Sequence, residues 1–181
     1  MAQRKIASDL SYRNEYLHFI SLGYLFGFAL TAVSPRGICA ILMGDTRQEL
    51  ERDLRLEFPE RNPVYSGYDL EGIGARTVQA IETPKISVSL PVDLEGTPFQ
   101  LSVWQALRSI PRGQSATYSE IASRIGAPDA AHEVSQACLA NRVALAVPCH
   151  RAVDDGGLGD YRWGLERKRM LLDREIRHSA V

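Results

Sequence analysis

The feature that most restricts what this chain can fold into is a repeated helix-start signature, Thr97-Pro98-Phe99-Gln100 and Thr117-Tyr118-Ser119-Glu120. In each, a threonine hydroxyl can accept from the backbone three residues on while a Gln or Glu side chain reaches back to the threonine N–H. Two of the amides that a helix start leaves without partners are thereby satisfied. Pro98 falls in the first turn, where its missing N–H costs nothing. Phe99, Val103, Trp104, Leu107 and Ile110 then share one side at helical spacing, and Pro111-Arg112-Gly113 stops the run. The second signature opens a short helix through Ile125, closed by Gly126, and Pro128 is expected to start a third helix running to about Ala140. Two helices joined by a tight glycine turn read as a helix-turn-helix.

Ahead of Gly96 the rhythm is that of strands. His18 through Met43, with Ser34-Pro35-Arg36-Gly37 as a turn, reads as a three-stranded antiparallel meander. Phe19 to Val33 is uncharged but falls short of the roughly 20 residues a bilayer span requires. Ser21, Gly23, Gly27 and Thr31 interrupt it and no short basic lead precedes it, so it reads as two buried strands rather than an anchor or export signal. Thr46 to Phe58 reads as a helix with Leu50 and Leu54 one turn apart, ended by Pro59, and residues 59–72 as a loop. Arg76 to Glu82 suits a short helix, and Ile86 to Asp93 alternates as a strand. The expected division is therefore α+β: residues 1–93 as a small antiparallel sheet domain and residues 94–181 as a helical, winged-helix-like domain.

Composition narrows the function. With 21 basic against 22 acidic residues the chain lacks the broad positive field that coats nucleic acid, so any DNA contact must be local. The cysteines, Cys39, Cys138 and Cys149, are 3 in number, lie far apart and form no Cys-x-x-Cys pair. That pattern suits a reducing, cytoplasmic setting and no metal site.

Val147-Pro148-Cys149-His150-Arg151 places a thiol beside an imidazole, the pairing that activates a cysteine for attack. Taken alone it reads more often as a buried thiol next to a surface histidine. On the third helix Ala130, Val134, Ala137 and Asn141 lie along one stripe, whereas His132, Ser135, Gln136 and Leu139 share the opposite face. The outer face is the candidate recognition surface; an ordinary packing unit with a solvated face is the equal alternative.

Pro148-Cys149-His150-Arg151, preceded by Asn141 and followed by Gly159-Asp160-Tyr161-Arg162-Trp163-Gly164, resembles the O6-alkylguanine-DNA alkyltransferase family. Arg36 to Asp45, and Gly96-Thr97-Pro98-Phe99-Gln100 on to Ile110-Pro111, resemble in particular the C-terminal half of its bacterial Ada type. The resemblance runs from about Leu22 to Arg177 and is strongest from Leu94. It implies a ribonuclease-H-like sheet domain ahead of the helix-turn-helix, and single-turnover repair in which an alkyl group passes from O6 of guanine in DNA to Cys149. By matched position, His150 deprotonates the thiol through a water, Glu175 orients the imidazole, Asn141 ties the third helix to the cysteine turn, and the Tyr118 phenol donates to the base. By spacing alone Glu175 sits one turn after Leu171, at the edge of the stripe of Leu165, Leu172 and Ile176, where it could face the pocket; without the resemblance the reading to prefer is a solvated acid among Arg174 and Arg177. Ala152, Tyr161 and Arg162 are implied in the base pocket, and Ala131, His132, Ser135, Gln136 and Arg151 against DNA.

The resemblance implies no cofactor, no metal, no membrane and a monomer. One position departs from it: His132 stands where the family carries an intercalating arginine, with Asp129 and Glu133 beside it. His132 is expected to act as a weaker wedge during base flipping, or else the substrate is single-stranded DNA or the free alkylated base. A lesion sensor or regulatory module, and a Cys-His-Glu hydrolase, are the competing functions.

Overall fold

The computed structural model describes residues 16–83 and 91–179. Tyr16–Tyr24 (β1), Gly27–Ser34 (β2) and Gly37–Gly44 (β3) form the expected antiparallel meander. Arg47–Glu57 (α1) follows, its start capped by the Thr46 hydroxyl, which accepts from Glu49 N at 3.2 Å, and Leu50 and Leu54 are its buried residues.

Residues 59–72 are not a loop. Asn62–Tyr65 forms a further strand (β4), parallel to β1, so the sheet is mixed, in the order β3-β2-β1-β4. Pro63 is tolerated because β4 is an edge strand. The helix expected over Arg76 to Glu82 begins much earlier and spans Gly67–Glu82 (α2). Gly74 lets the helix approach the sheet: a Cβ there would lie 2.9 Å from side-chain carbons of both Ile20 and Leu22. Of the strand expected over Ile86 to Asp93, residues 86–90 lie outside the described residues; Val92 pairs with Ile38.

β3 sits at the other edge of the sheet, yet all of its residues are buried. The second half of the chain covers that edge. Ile41 N donates to Arg142 O (2.9 Å) and Ala144 N to Ile41 O (3.1 Å), while Asp93 N donates to Ile38 O (2.8 Å). An open strand edge is an aggregation hazard, and here it is used to dock the helical unit. The hydrophobic core is correspondingly continuous from Leu17 in β1 through Trp104 to Leu171. Each fully buried large apolar side chain in it contributes about 1.5–3 kcal/mol.

The helical unit contains Pro98–Arg108 (α3), Ala116–Thr117 (β5), Tyr118–Arg124 (α4), Ala131–Leu139 (α5), Ala152–Val153 (β6) and Leu165–Ser179 (α6). Both capping boxes are complete: Thr97 and Gln100 exchange bonds of 2.9 and 3.2 Å, and Thr117 and Glu120 bonds of 2.8 and 3.1 Å. α4 and α5 form the helix-turn-helix. α5 starts at Ala131 rather than Pro128, because Ala130 N closes a turn onto Ala127 O first. β5 and β6 pair side by side, Ala116 opposite Ala152.

On α6 the buried stripe is Lys168, Leu171 and Glu175, whereas Leu165 and Ile176 are exposed. Glu175 is thus a member of the buried face, not an edge residue beside an apolar one. Among the described residues, no helix is long and apolar enough to cross a membrane.

Candidate active site

The segment from Asn141 to Arg151 builds the centre. Asn141 follows the end of α5 and is 1% exposed. Its Nδ2 donates to Val147 O at 2.9 Å and to Cys149 Sγ at 3.1 Å, and its Oδ1 accepts from Val143 N at 2.8 Å. One side chain therefore closes the 141–147 turn and aims a donor at the sulfur. Within that turn Leu145 holds a φ of 67°, a left-handed conformation costly for a residue with a branched side chain.

Cys149 begins a 3₁₀ turn, Cys149–Arg151, and is 1% exposed. Burial pushes its thiol up to about 11, against the opposing pull of the Asn141 hydrogen bond and the Lys168 and Arg162 charges. The resting sulfur is a protected thiol, in contrast to the standing thiolate that a Cys-His pair alone suggests.

His150 is also buried, not at the surface. Its Nε2 lies 2.9 Å from Glu175 Oε1. Burial lowers the imidazole pKa, with the Glu175 hydrogen bond and charge working against that. For Glu175, burial alone would raise the pKa, but the hydrogen bonds and charges of His150 and Arg151 outweigh it and hold the carboxyl at about 2. An ionised Glu175 makes Nε2 the donor, so the neutral ring keeps Nδ1 as an acceptor. Nδ1 is buried with no hydrogen-bond partner, as is the Tyr161 hydroxyl.

Arg151, expected against DNA, is buried. Its Nε donates to Glu175 Oε2 (2.9 Å), Nη2 to Oε1 (2.7 Å) and Nη1 to Ile110 O (2.7 Å), all buried. Gly113 N adds a bond to Oε2 at 3.1 Å. Arg151 thus fixes and charges the relay carboxylate, because a fork of two parallel N–H groups fits a carboxylate. Ser135, placed on the outer face by spacing, is buried as well. On α5 His132, Glu133 and Gln136 are exposed, and Ala131 and Leu139 are partly so.

Tyr118 opens α4, and its hydroxyl donates to Asp160 O at 3.3 Å. Burial pushes the phenol up to about 12, so it remains a proton donor. Tyr161 packs edge-on against Trp163, ring centroids 5.2 Å apart, and Ala152 is fully buried in β6. The Arg162 side chain donates to Leu139 O at 3.2 Å and pairs with Glu57. At Gly159, φ is 65° and a Cβ would stand 2.6 Å from the Tyr118 hydroxyl. Gly159→Ala should therefore push the phenol from its place. The expected result is a slower reaction of Cys149 with its substrate while reaction with a small alkylating reagent is unchanged, measured by stopped-time quench.

Sequence reasoning missed Lys168, which is 0% exposed. Its Nζ donates to Asp160 O at 2.9 Å and lies 5.8 Å from the Tyr118 ring centroid. The signal was present: Lys168 precedes Leu171 and Glu175 at helical spacing on the buried face.

A helix-turn-helix thus precedes a buried Cys149-His150-Glu175 centre, and a mixed sheet backs both. Residues 98–177 match the family model described as 6-O-methylguanine DNA methyltransferase, DNA binding domain. The chain belongs to the methylated-DNA–protein-cysteine methyltransferase family. It is 41% identical over 134 residues to the inducible methylated-DNA–protein-cysteine methyltransferase of Bacillus subtilis, covering 74% of this chain and 75% of that one. It is 42% identical over 163 residues to the regulatory protein Ada of Salmonella typhimurium, which takes in 90% of this chain but 46% of Ada. The chain thus spans about half the length of the Ada relatives it matches. Its fold superposes on the O6-methylguanine methyltransferase of Mycobacterium tuberculosis with a TM-score of 0.73 at 31% identity, over 90% of this chain and 94% of that one.

Proposed function

We propose that this chain repairs alkylated DNA by accepting, once per molecule, the alkyl group from O6 of guanine onto Cys149 Sγ. The observation that carries the proposal is the sulfur held by Asn141 beside a His150–Glu175–Arg151 relay, directly after the helix-turn-helix. In the reaction the thiol proton passes through a water to His150 Nδ1, and the sulfur attacks the alkyl carbon. The S–C bond forms as the C–O6 bond breaks, and its electron pair moves into the purine, which takes up a proton. Tyr118 would be the donor that stabilises the charge developing on the base. Tyr161 and the backbone of Ala152 and Arg162 complete the pocket. The resulting thioether has no route back, so each molecule reacts once and requires no cofactor or metal.

The substrate is DNA, as in the structure of Mycobacterium tuberculosis OGT in complex with DNA. Ala131, His132 and Gln136 of α5 would face it, with His132 filling the gap left by the rotated nucleotide. Asp129 and Glu133, both exposed, weaken attraction to phosphate there. Replacing His132 with Arg should tighten binding to a methylated duplex and speed transfer; unchanged affinity would remove His132 from this role. The division into units of 1–93 and 94–181, and a cytoplasmic setting that keeps the three free cysteines reduced, belong to the same proposal.

The test is stoichiometry. With an excess of an oligonucleotide carrying O6-methylguanine, repaired lesions should level off at one per protein molecule. Continued turnover, or turnover of an ester by the same cysteine, would point to a hydrolase instead.

A further inference from the structure

We propose that Glu57, on the sheet unit, is a positioning residue for the transfer centre, its two carboxylate oxygens holding Arg142 and Arg162 and with them the two segments that flank Cys149. The inference rests on the reading of Cys149 as the alkyl acceptor. Glu57 is the last residue of α1 and lies outside residues 98–177, which match the DNA-binding domain. Its Oε1 accepts from Arg162 Nη2, and its Oε2 lies 3.6 Å from Arg142 Nε. The Glu57 carbonyl accepts from Arg142 Nη1 at 3.4 Å, and that guanidinium lies 5.0 Å from the Phe58 ring centroid.

What the arginines are attached to gives the contact its meaning. Arg142 directly follows Asn141, the residue that donates to the sulfur. Arg162 stands between Tyr161 and Trp163, and its second nitrogen caps Leu139 O at the end of α5, where a helix favours a cation. One carboxylate therefore sets the spacing between the donor side of the thiol and the pocket wall. Without it, two guanidinium groups would meet with no anion between them, and the wall would part from the Asn141 turn. The three side chains are between 24% and 29% exposed. Ion pairs at that exposure add little to stability, so the consequence should appear in reactivity rather than in folding.

The experiment compares wild type, Glu57→Ala and Glu57→Gln in single-turnover transfer from an O6-methylguanine oligonucleotide at rising oligonucleotide concentration. In parallel, alkylation of Cys149 by iodoacetamide is followed against pH without DNA and read by peptide mass, which separates Cys149 from Cys39 and Cys138. Because misplacement of reacting groups slows chemistry more than binding, Glu57→Ala should lower the limiting transfer rate about tenfold and leave the half-saturating concentration within about twofold. Its pH profile for Cys149 alkylation should be displaced from wild type, with Glu57→Gln intermediate in both measurements and both variants melting close to wild type. A folded Glu57→Ala with wild-type limiting rate and pH profile overturns the proposal, as does a change confined to half-saturation. If Glu57→Ala does not fold, Glu57→Gln decides on the same terms. If wild type itself transfers nothing, the acceptor reading fails, and the iodoacetamide profile alone still shows whether Glu57 positions the thiol.

Discussion

Glu175→Ala is expected to destabilise the fold by about 3–5 kcal/mol, the usual cost of removing one partner from a buried charge pair. Among the described residues Glu175 is the carboxylate that pairs with the Arg151 guanidinium, and their side chains are only 7% and 10% exposed. Removing it leaves a buried cation whose remaining partner among the described residues is the Ile110 carbonyl, and frees the His150 ring from the acceptor that sets its tautomer. Unfolding in denaturant measures the first effect, and the transfer rate in whatever protein remains folded measures the second. Glu175→Gln should be milder in stability, because the amide oxygen still accepts, but equally damaging to the relay.

The same carboxyl gives a pH dependence. It is held at about 2 in the fold against an ordinary value of 4.5, so the unfolded chain binds the proton more readily. Its contribution to stability is complete above pH 4.5 and is lost as pH falls towards 2. In Glu175→Gln that part of the acid transition should be missing.

Asn141→Ala is expected to have the second largest effect. The substitution strands Val143 N, on a buried residue, at about 1–3 kcal/mol, and leaves Val147 O with the Cys149 N–H as its donor. It also removes the hydrogen bond that lowers the pKa of the Cys149 thiol against its burial. Loss of one preorganised donor at a centre of developing charge costs on the order of 10²-fold in rate, and transfer should fall by about that much. Asn141→Ser, too short to span both carbonyl and sulfur, should behave alike. Near-normal transfer in a folded Asn141→Ala would show that the amide serves the turn and not the sulfur.

Local chemistry made much of this molecule legible in its sequence. A capping box is written by two side chains three residues apart, and both boxes form as read. Leu50 and Leu54, one turn apart, likewise report their own burial. What was hidden depended on partners distant in the chain. The Pro, Gly and Asp of residues 59–72 signal a loop until the pairing of Asn62–Tyr65 with β1 is known. Arg151, Lys168 and Glu175 carry charges that composition rules assign to water, yet they are buried because each finds a partner far along the chain, Arg151 at Ile110 and Glu175 at Gly113. Ser135 fell on the outer face by spacing alone and is buried in the structure. The thiol and imidazole were found from adjacency, whereas their protonation states follow from burial, which no dipeptide records.

Intact mass of the protein after incubation with an oligonucleotide carrying O6-methylguanine, for wild type and for Cys149→Ala, tests the central claim most directly. Wild type should gain one methyl group, mapped to the peptide holding Cys149, and Cys149→Ala should gain none. An unchanged wild-type mass, or a methyl group that persists without that sulfur, would contradict it.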